Sequence, residues 1–155
     1  MPEAAFRQRL SMERTMPLEL SSLKKAILSL EALLSRALDP ELMGSLDEVT
    51  RYGLRAGVIQ NFEFTYELCW KSIKRWIEEN IGATYVDGVT RRELFRYGAE
   101  NRLIDDVDLW MDFHRSRNMT SHTYDVSVAD DVFEAAARFS AEAVKLLAAL
   151  EARND

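Results

Sequence analysis

The sequence is poor in punctuation: six glycines and three prolines in 155 residues, too few for the many turns of an all-β fold. Its one cysteine, Cys69, excludes an internal disulfide framework and fits a reducing compartment. No run approaches the roughly 18 to 20 uncharged apolar residues of a membrane span. The first residues carry Arg7, Arg9, Glu13 and Arg14 without an apolar stretch, so they do not read as a secretory signal. Residues 1–17 are expected to form a flexible extension, with Met16-Pro17 an alternative start, and the cytoplasm is the expected address.

A basic excess is missing too. Twenty lysines and arginines face 26 aspartates and glutamates, a formal charge of −6, whereas a nonspecific nucleic-acid binder draws its affinity from phosphate neutralisation. Any RNA contact must then be local, along Lys71, Lys74, Arg75, Arg91, Arg92, Arg96, Arg115 and Arg117. Solvated helix surfaces account for the same charges. With only His114 and His122 present, no zinc-type His-Glu-x-x-His or paired-cysteine pattern exists, and no metal site is expected. There is no glycine-rich phosphate loop either. Cys69 falls on an apolar stripe, where a thiol is normally inert.

What is present is helical periodicity. Apolar residues make up 47% of the chain and charged residues 30%, the balance of a globular protein. Leu23, Ile27, Leu30, Leu34 and Leu38 recur at spacings of three and four, which predicts a helix over about 18–38, ended by Asp39-Pro40. Ile59, Phe62, Tyr66, Cys69, Ile73 and Trp76 predict a second, long helix from about Asp47 to Gly82, with the aromatics in its core face. Gly53 and Gly57 lie inside it, so the helix is expected either to break there or to meet a close neighbour. Residues 83–89 read as a loop with one short extended piece. Thr90 with Glu93 forms a capping box for a helix to about Glu100. Asp105 and Asp106 open a fourth helix, and Ser127 begins the last. In that last helix Val132, Ala136, Phe139, Ala143, Leu146 and Leu150 keep a four-three alternation. The expectation is an all-α, four- to five-helix up-and-down bundle over residues 18–153 as one domain.

Residues 114–124 concentrate the reactive side chains. On an unbroken helix Trp110, His114, Arg117, Ser121 and Tyr124 share one stripe, and Arg115, Asn118 and His122 another. Arg117 and His122 would then point roughly 140° apart. They meet only if the helix ends near Thr120-Ser121 or a second copy of the chain supplies the partner. Asn118, one turn before His122, would fix its tautomer. An arginine and a histidine suit metal-independent attack of a ribose 2′-hydroxyl on the adjacent phosphate. The second acid–base group would come from a twofold-related His122 or from His114. The same residues also permit a purely structural reading, with Arg117 paired to Glu67 or Glu63 and His122 favoured by a helix C-terminus.

Arg117, four residues, His122, one residue, Tyr124 resemble the Arg-x4-His-x-Tyr signature of the HEPN superfamily. The string Arg117 to Tyr124, with Gln60 to Lys71, Arg91-Arg92-Glu93-Leu94 and Leu103 to Trp110, is similar to the nucleotidyltransferase substrate-binding proteins over about 20–150. That resemblance implies a dimeric helical bundle whose companion is a small nucleotidyltransferase, in a toxin–antitoxin-like system. It implies Tyr124 as an AMP acceptor, with ATP and magnesium held by the partner and no intrinsic cofactor. It also implies Arg117 and His122 as the catalytic pair of an endoribonuclease, the alternative function. A non-catalytic adaptor is the third reading. Glu63, Glu67, Lys71, His114 and Ser121 are expected to line the substrate or partner cleft.

Overall fold

A computed structural model describes residues 18–154, so the expected extension over 1–17 lies outside the described residues. The leucine stripe folds as α1 (Ser21–Ala37), burying Leu23, Ile27, Leu30 and Leu34. Asp39-Pro40 ends it as expected but also starts α2 (Pro40–Ser45), which periodicity did not reveal. Asp39 accepts the Glu41 and Leu42 N–H groups at 3.0 and 3.3 Å while proline occupies the first turn, where its missing N–H costs nothing.

The central helix α3 (Glu48–Asn80) is capped by Asp47 and buries the stripe from Ile59 through Phe62, Tyr66, Cys69 and Ile73 to Trp76. It passes through Gly53 and Gly57 unbroken, correcting the expectation of a break or a close neighbour. Nothing lies within 4 Å of a Cβ built at Gly53, and at Gly57 only the Leu33 side chain does, at an ordinary 3.8 Å. Gly82, at φ +149°, stops the helix, its N–H donating to the Ile77 carbonyl at 2.9 Å. The segment after it is a 3₁₀ turn over Ala83–Tyr85, not an extended piece.

Thr90 caps α4 (Arg91–Glu100) through its hydroxyl to the Glu93 N–H. Asp106 caps α5 (Val107–Asn118), and a 3₁₀ turn follows at Thr120–His122. The last helix, α6 (Val126–Ala152), is capped by Asp125 rather than begun by Ser127: Asp125 accepts both the N–H and the hydroxyl of Ser127. α3 packs on α1, α4, α5 and α6. Among the described residues there is no strand, and no helix is long and apolar enough to cross a membrane.

At the centre sits Phe139 of α6. Its ring lies 5.1 Å from Phe62, 5.2 Å from Phe113 and 5.7 Å from Trp110, all edge to face. Such pairs add about 0.5–1.5 kcal/mol each beyond the area they bury. This aromatic block locks α3, α5 and α6 together. Gly98 lets α4 approach α3 closely, because a Cβ there would stand 3.3 Å from the Ile73 Cγ2. α4 and α5 both pack on α3 and on each other.

Candidate functional site

α5 ends at Asn118 and the chain turns at once through Thr120–His122. The single continuous stripe is therefore cut after Arg117, and the residues beyond it take a different course. Arg117 reaches inward to α3. Its Nε donates to Glu67 Oε1 at 2.9 Å, and an Nη lies 3.4 Å from Glu63 Oε1. The second Glu67 oxygen accepts the Trp70 indole N–H at 2.9 Å. One half-buried carboxylate thus holds an arginine from α5 and a tryptophan from its own helix.

Beside it the buried Tyr66 hydroxyl and His114 Nδ1 are 2.7 Å apart. The Asn118 amide N–H faces His114 Nε2 at 3.4 Å. Asn118 therefore supports His114 and not His122, a correction with a simple cause. The spacing of four residues works backward along α5, while α5 stops before the forward spacing to His122 is completed. Partial burial, then the Arg91 cation, lower the His114 pKa below its usual 6.5; Glu67 opposes this and Arg117 adds to it. Burial likewise raises the Tyr66 phenol above its usual range, so the pair meets as neutral groups. Cys69 is fully buried and its thiol is pushed up by that burial, consistent with an inert core residue.

The pairing of Trp70 with Arg91 at this junction was not read from the sequence, where Arg91 figured only among the cations of a local RNA track and in the family resemblance. Trp70, named there only within the Gln60 to Lys71 string, is half-buried. Arg91, the first residue of α4, lies flat on it, guanidinium carbon 3.5 Å from the ring centroid. The available signal was Trp70's position three residues after Glu67 and off the apolar stripe. Lys71 is exposed, with its ammonium 5.6 Å from the same ring.

His122, Ser121 and Tyr124 are exposed on the turn, Tyr124 to 81%. The His122 Nδ1 stands 3.4 Å from the Tyr124 hydroxyl, with ring centroids 6.0 Å apart. Among the described residues no hydrogen bond joins Arg117 to His122: one is engaged with α3, the other is exposed. Tyr124 also borders a cleft of about 130 Å³, whose wall includes Tyr52, Ile59, Val126 and the Arg55–Asp130 ion pair.

The cations expected to form an RNA track are mostly spoken for. Arg92 pairs with Asp108 at 2.8 Å, Arg75 with Glu79 at 3.6 Å, Lys74 with Glu78 at 3.9 Å, and Arg115 with Asp112. Among the described residues no three His, Cys, Asp or Glu side chains gather into a group able to hold a metal ion.

Residues 18–152 match the family model described as nucleotidyltransferase substrate binding protein like. A Haemophilus influenzae protein named "Probable ribonuclease HepT" is 35% identical over 143 residues, covering 88% of this chain and 94% of that protein. A solved Haemophilus influenzae structure, described as the fold of a substrate binding domain of a nucleotidyltransferase, superposes with a TM-score of 0.82. It is 31% identical and covers 86% of this chain and 99% of its own. A Thermus thermophilus structure at 24% identity, covering 81% of this chain and 98% of its own, has a TM-score of 0.63 and shows the fold alone.

Proposed function

This chain belongs to the nucleotidyltransferase substrate binding protein like family, and on that footing we propose that it is the substrate-binding and regulatory subunit of a two-component system. Its partner is a small nucleotidyltransferase, and Tyr124 is the residue that receives AMP. The supporting observation is the Tyr124 phenol itself, 81% exposed and 3.4 Å from a histidine nitrogen. In the transfer, Tyr124 Oη attacks the α-phosphorus of ATP held by the partner. A phosphodiester bond forms, the bond to pyrophosphate breaks, and the phenolic proton passes to His122. The AMP adds bulk and negative charge two residues from His122 and would block an RNA phosphate there. The working assembly is a homodimer, with toxin–antitoxin logic.

The test mixes the purified chain with ATP, magnesium ion and a small nucleotidyltransferase of the same genome. Mass spectrometry is expected to show one or more added AMP units, absent in Tyr124→Phe. No added mass, together with no complex between the two proteins, would refute the proposal.

The second reading, a metal-independent ribonuclease using Arg117 and His122, is favoured by the name of the 35% identical relative. Against it stands the Arg117 guanidinium, already neutralised by Glu67 and Glu63 at 2.9 and 3.4 Å, which leaves it less charge to offer a phosphorane. Incubation with RNA in EDTA decides this: cleavage by wild type but not by His122→Ala would make the ribonuclease the primary function.

A further inference from the structure

Adjacent arginines at the start of α4 meet opposite fates. Arg92 has a carboxylate, Asp108, at 2.8 Å. Arg91 has neither an ion pair nor a hydrogen bond among the described residues, and its Nε is fully buried without a partner. Burying donors of a charged group unpaired is expensive, and native structures rarely leave them so. Stacking on Trp70 at 3.5 Å recovers part of this cost through cation–π attraction. It also fixes the plane of the guanidinium, committing Nε to the packed side and leaving the two terminal nitrogens to face a ligand. No hydrogen bond joins them to Glu67, whose oxygens accept from Arg117 and from the Trp70 indole.

The charge count points the same way. Arg91, Arg117 and Lys71 converge here against Glu63 and Glu67, leaving one positive charge in excess. A planar guanidinium fixed by stacking and without a carboxylate partner, beside a surplus of positive charge, matches the geometry of an oxyanion group that can accept two parallel N–H bonds. We propose that the Arg91 guanidinium, held on Trp70, is the receptor for the phosphate of a mononucleotide. This deepens the substrate-binding reading above and rests on it for the choice of phosphate over carboxylate. Arg91 and Trp70 are then binding residues, and Glu67 is a positioning residue that orients Trp70 from behind.

Calorimetric titration of the full chain alone, with AMP, ATP and inorganic phosphate, tests this without any nucleotidyltransferase, so the result does not depend on whether Tyr124 is modified. Trp70 gives a second readout, because Trp76 and Trp110 are buried and Trp70 is the half-buried tryptophan at the site. Saturable binding of AMP or ATP is expected, with a change in tryptophan emission that is lost in Trp70→Phe. Arg91→Gln should weaken binding roughly tenfold to a hundredfold, the scale of a lost charged hydrogen-bond pair. Arg92→Gln, one residue away, should bind as wild type does. Arg91→Lys keeps the charge but not the planar fork and should fall between. Thermal midpoints of all variants confirm that folding is retained. Three results would overturn the proposal: no binding by wild type, equal binding by Arg91→Gln, or binding only of a short oligoribonucleotide and no mononucleotide. Loss of self-association in Arg91→Gln with nucleotide affinity unchanged would overturn it as well, assigning the arginine to an interface.

Discussion

The junction of α3, α4 and α5 and the turn at Thr120–His122 lie a few residues apart in the chain, yet they are built on different principles. At the junction the polar contacts join distant parts of the sequence: Arg117 to Glu67 across 50 residues, His114 to Tyr66 across 48. On the turn they are local. The Thr120 hydroxyl donates to the Arg117 carbonyl at 2.8 Å, and the Thr123 hydroxyl to the Thr120 carbonyl at 3.2 Å, each across three residues. Long-range contacts form only when the bundle is assembled, so they report on folding. Local ones hold a short shape without drawing on distant parts of the chain. The signature residues are divided between the two, Arg117 in the scaffold and His122 with Tyr124 on the reactive edge.

Removing the carboxylate that organises the junction is the strongest way to challenge this division. Glu67→Ala should lower the free energy of unfolding by about 1–2 kcal/mol, since it leaves Arg117 and the Trp70 N–H without an acceptor. The loss is modest because the pair retains about 30% exposure on each side. Urea denaturation measures it. A loss within the range usual for surface changes, about 0.5 kcal/mol or less, would mean that water replaces Glu67 freely and that the junction is no more built than the turn.

How far this arrangement was legible beforehand depended on whether a contact was local. Periodicity placed α1, α3 and α6 because a buried stripe repeats every three to four residues. α2 was hidden because six residues cannot show a period, although Asp39 before Pro40 was its starting signal. Arg117 with Glu67 or Glu63 was foreseen as one reading, since the motif arginine needed a carboxylate on the helix it faces. Asn118 was assigned to the wrong histidine because a spacing of four holds in either direction only while the helix continues. Arg91 on Trp70 was out of reach, as nothing in a sequence states which turn of α3 the start of α4 will cover.

Acid should act on the junction through His114. Its folded pKa lies below the unfolded value of about 6.5 because burial and the neighbouring arginines disfavour the imidazolium. The folded state then binds fewer protons than the unfolded one between the two values, so stability falls as pH drops through that window and is complete above it. Thermal midpoints of wild type and His114→Gln, compared from pH 7.5 to 5, isolate this from the carboxylates, which both proteins share. Wild type should lose more. Parallel curves would show that His114 is as freely solvated as a surface residue and would move it from the junction to the exposed edge.

The smallest effect is expected where the chemistry is proposed. His122→Ala combined with Tyr124→Phe removes the 3.4 Å polar contact and the edge-on ring contact at 6.0 Å. Both residues are exposed, Tyr124 to 81%, so water already solvates the groups that would be lost. Surface changes of this kind usually stay within about 0.5 kcal/mol. The cap that starts α6 is also left intact, because Asp125 supplies it through Ser127. A side chain that contributes little to folding is free to be modified or to engage a partner without unfolding its host. The double variant should therefore match wild type in urea while losing AMP acceptance altogether. If it were instead destabilised by more than about 1 kcal/mol, the turn would belong to the scaffold, and conservation of fold rather than transfer chemistry would explain why His122 and Tyr124 are there.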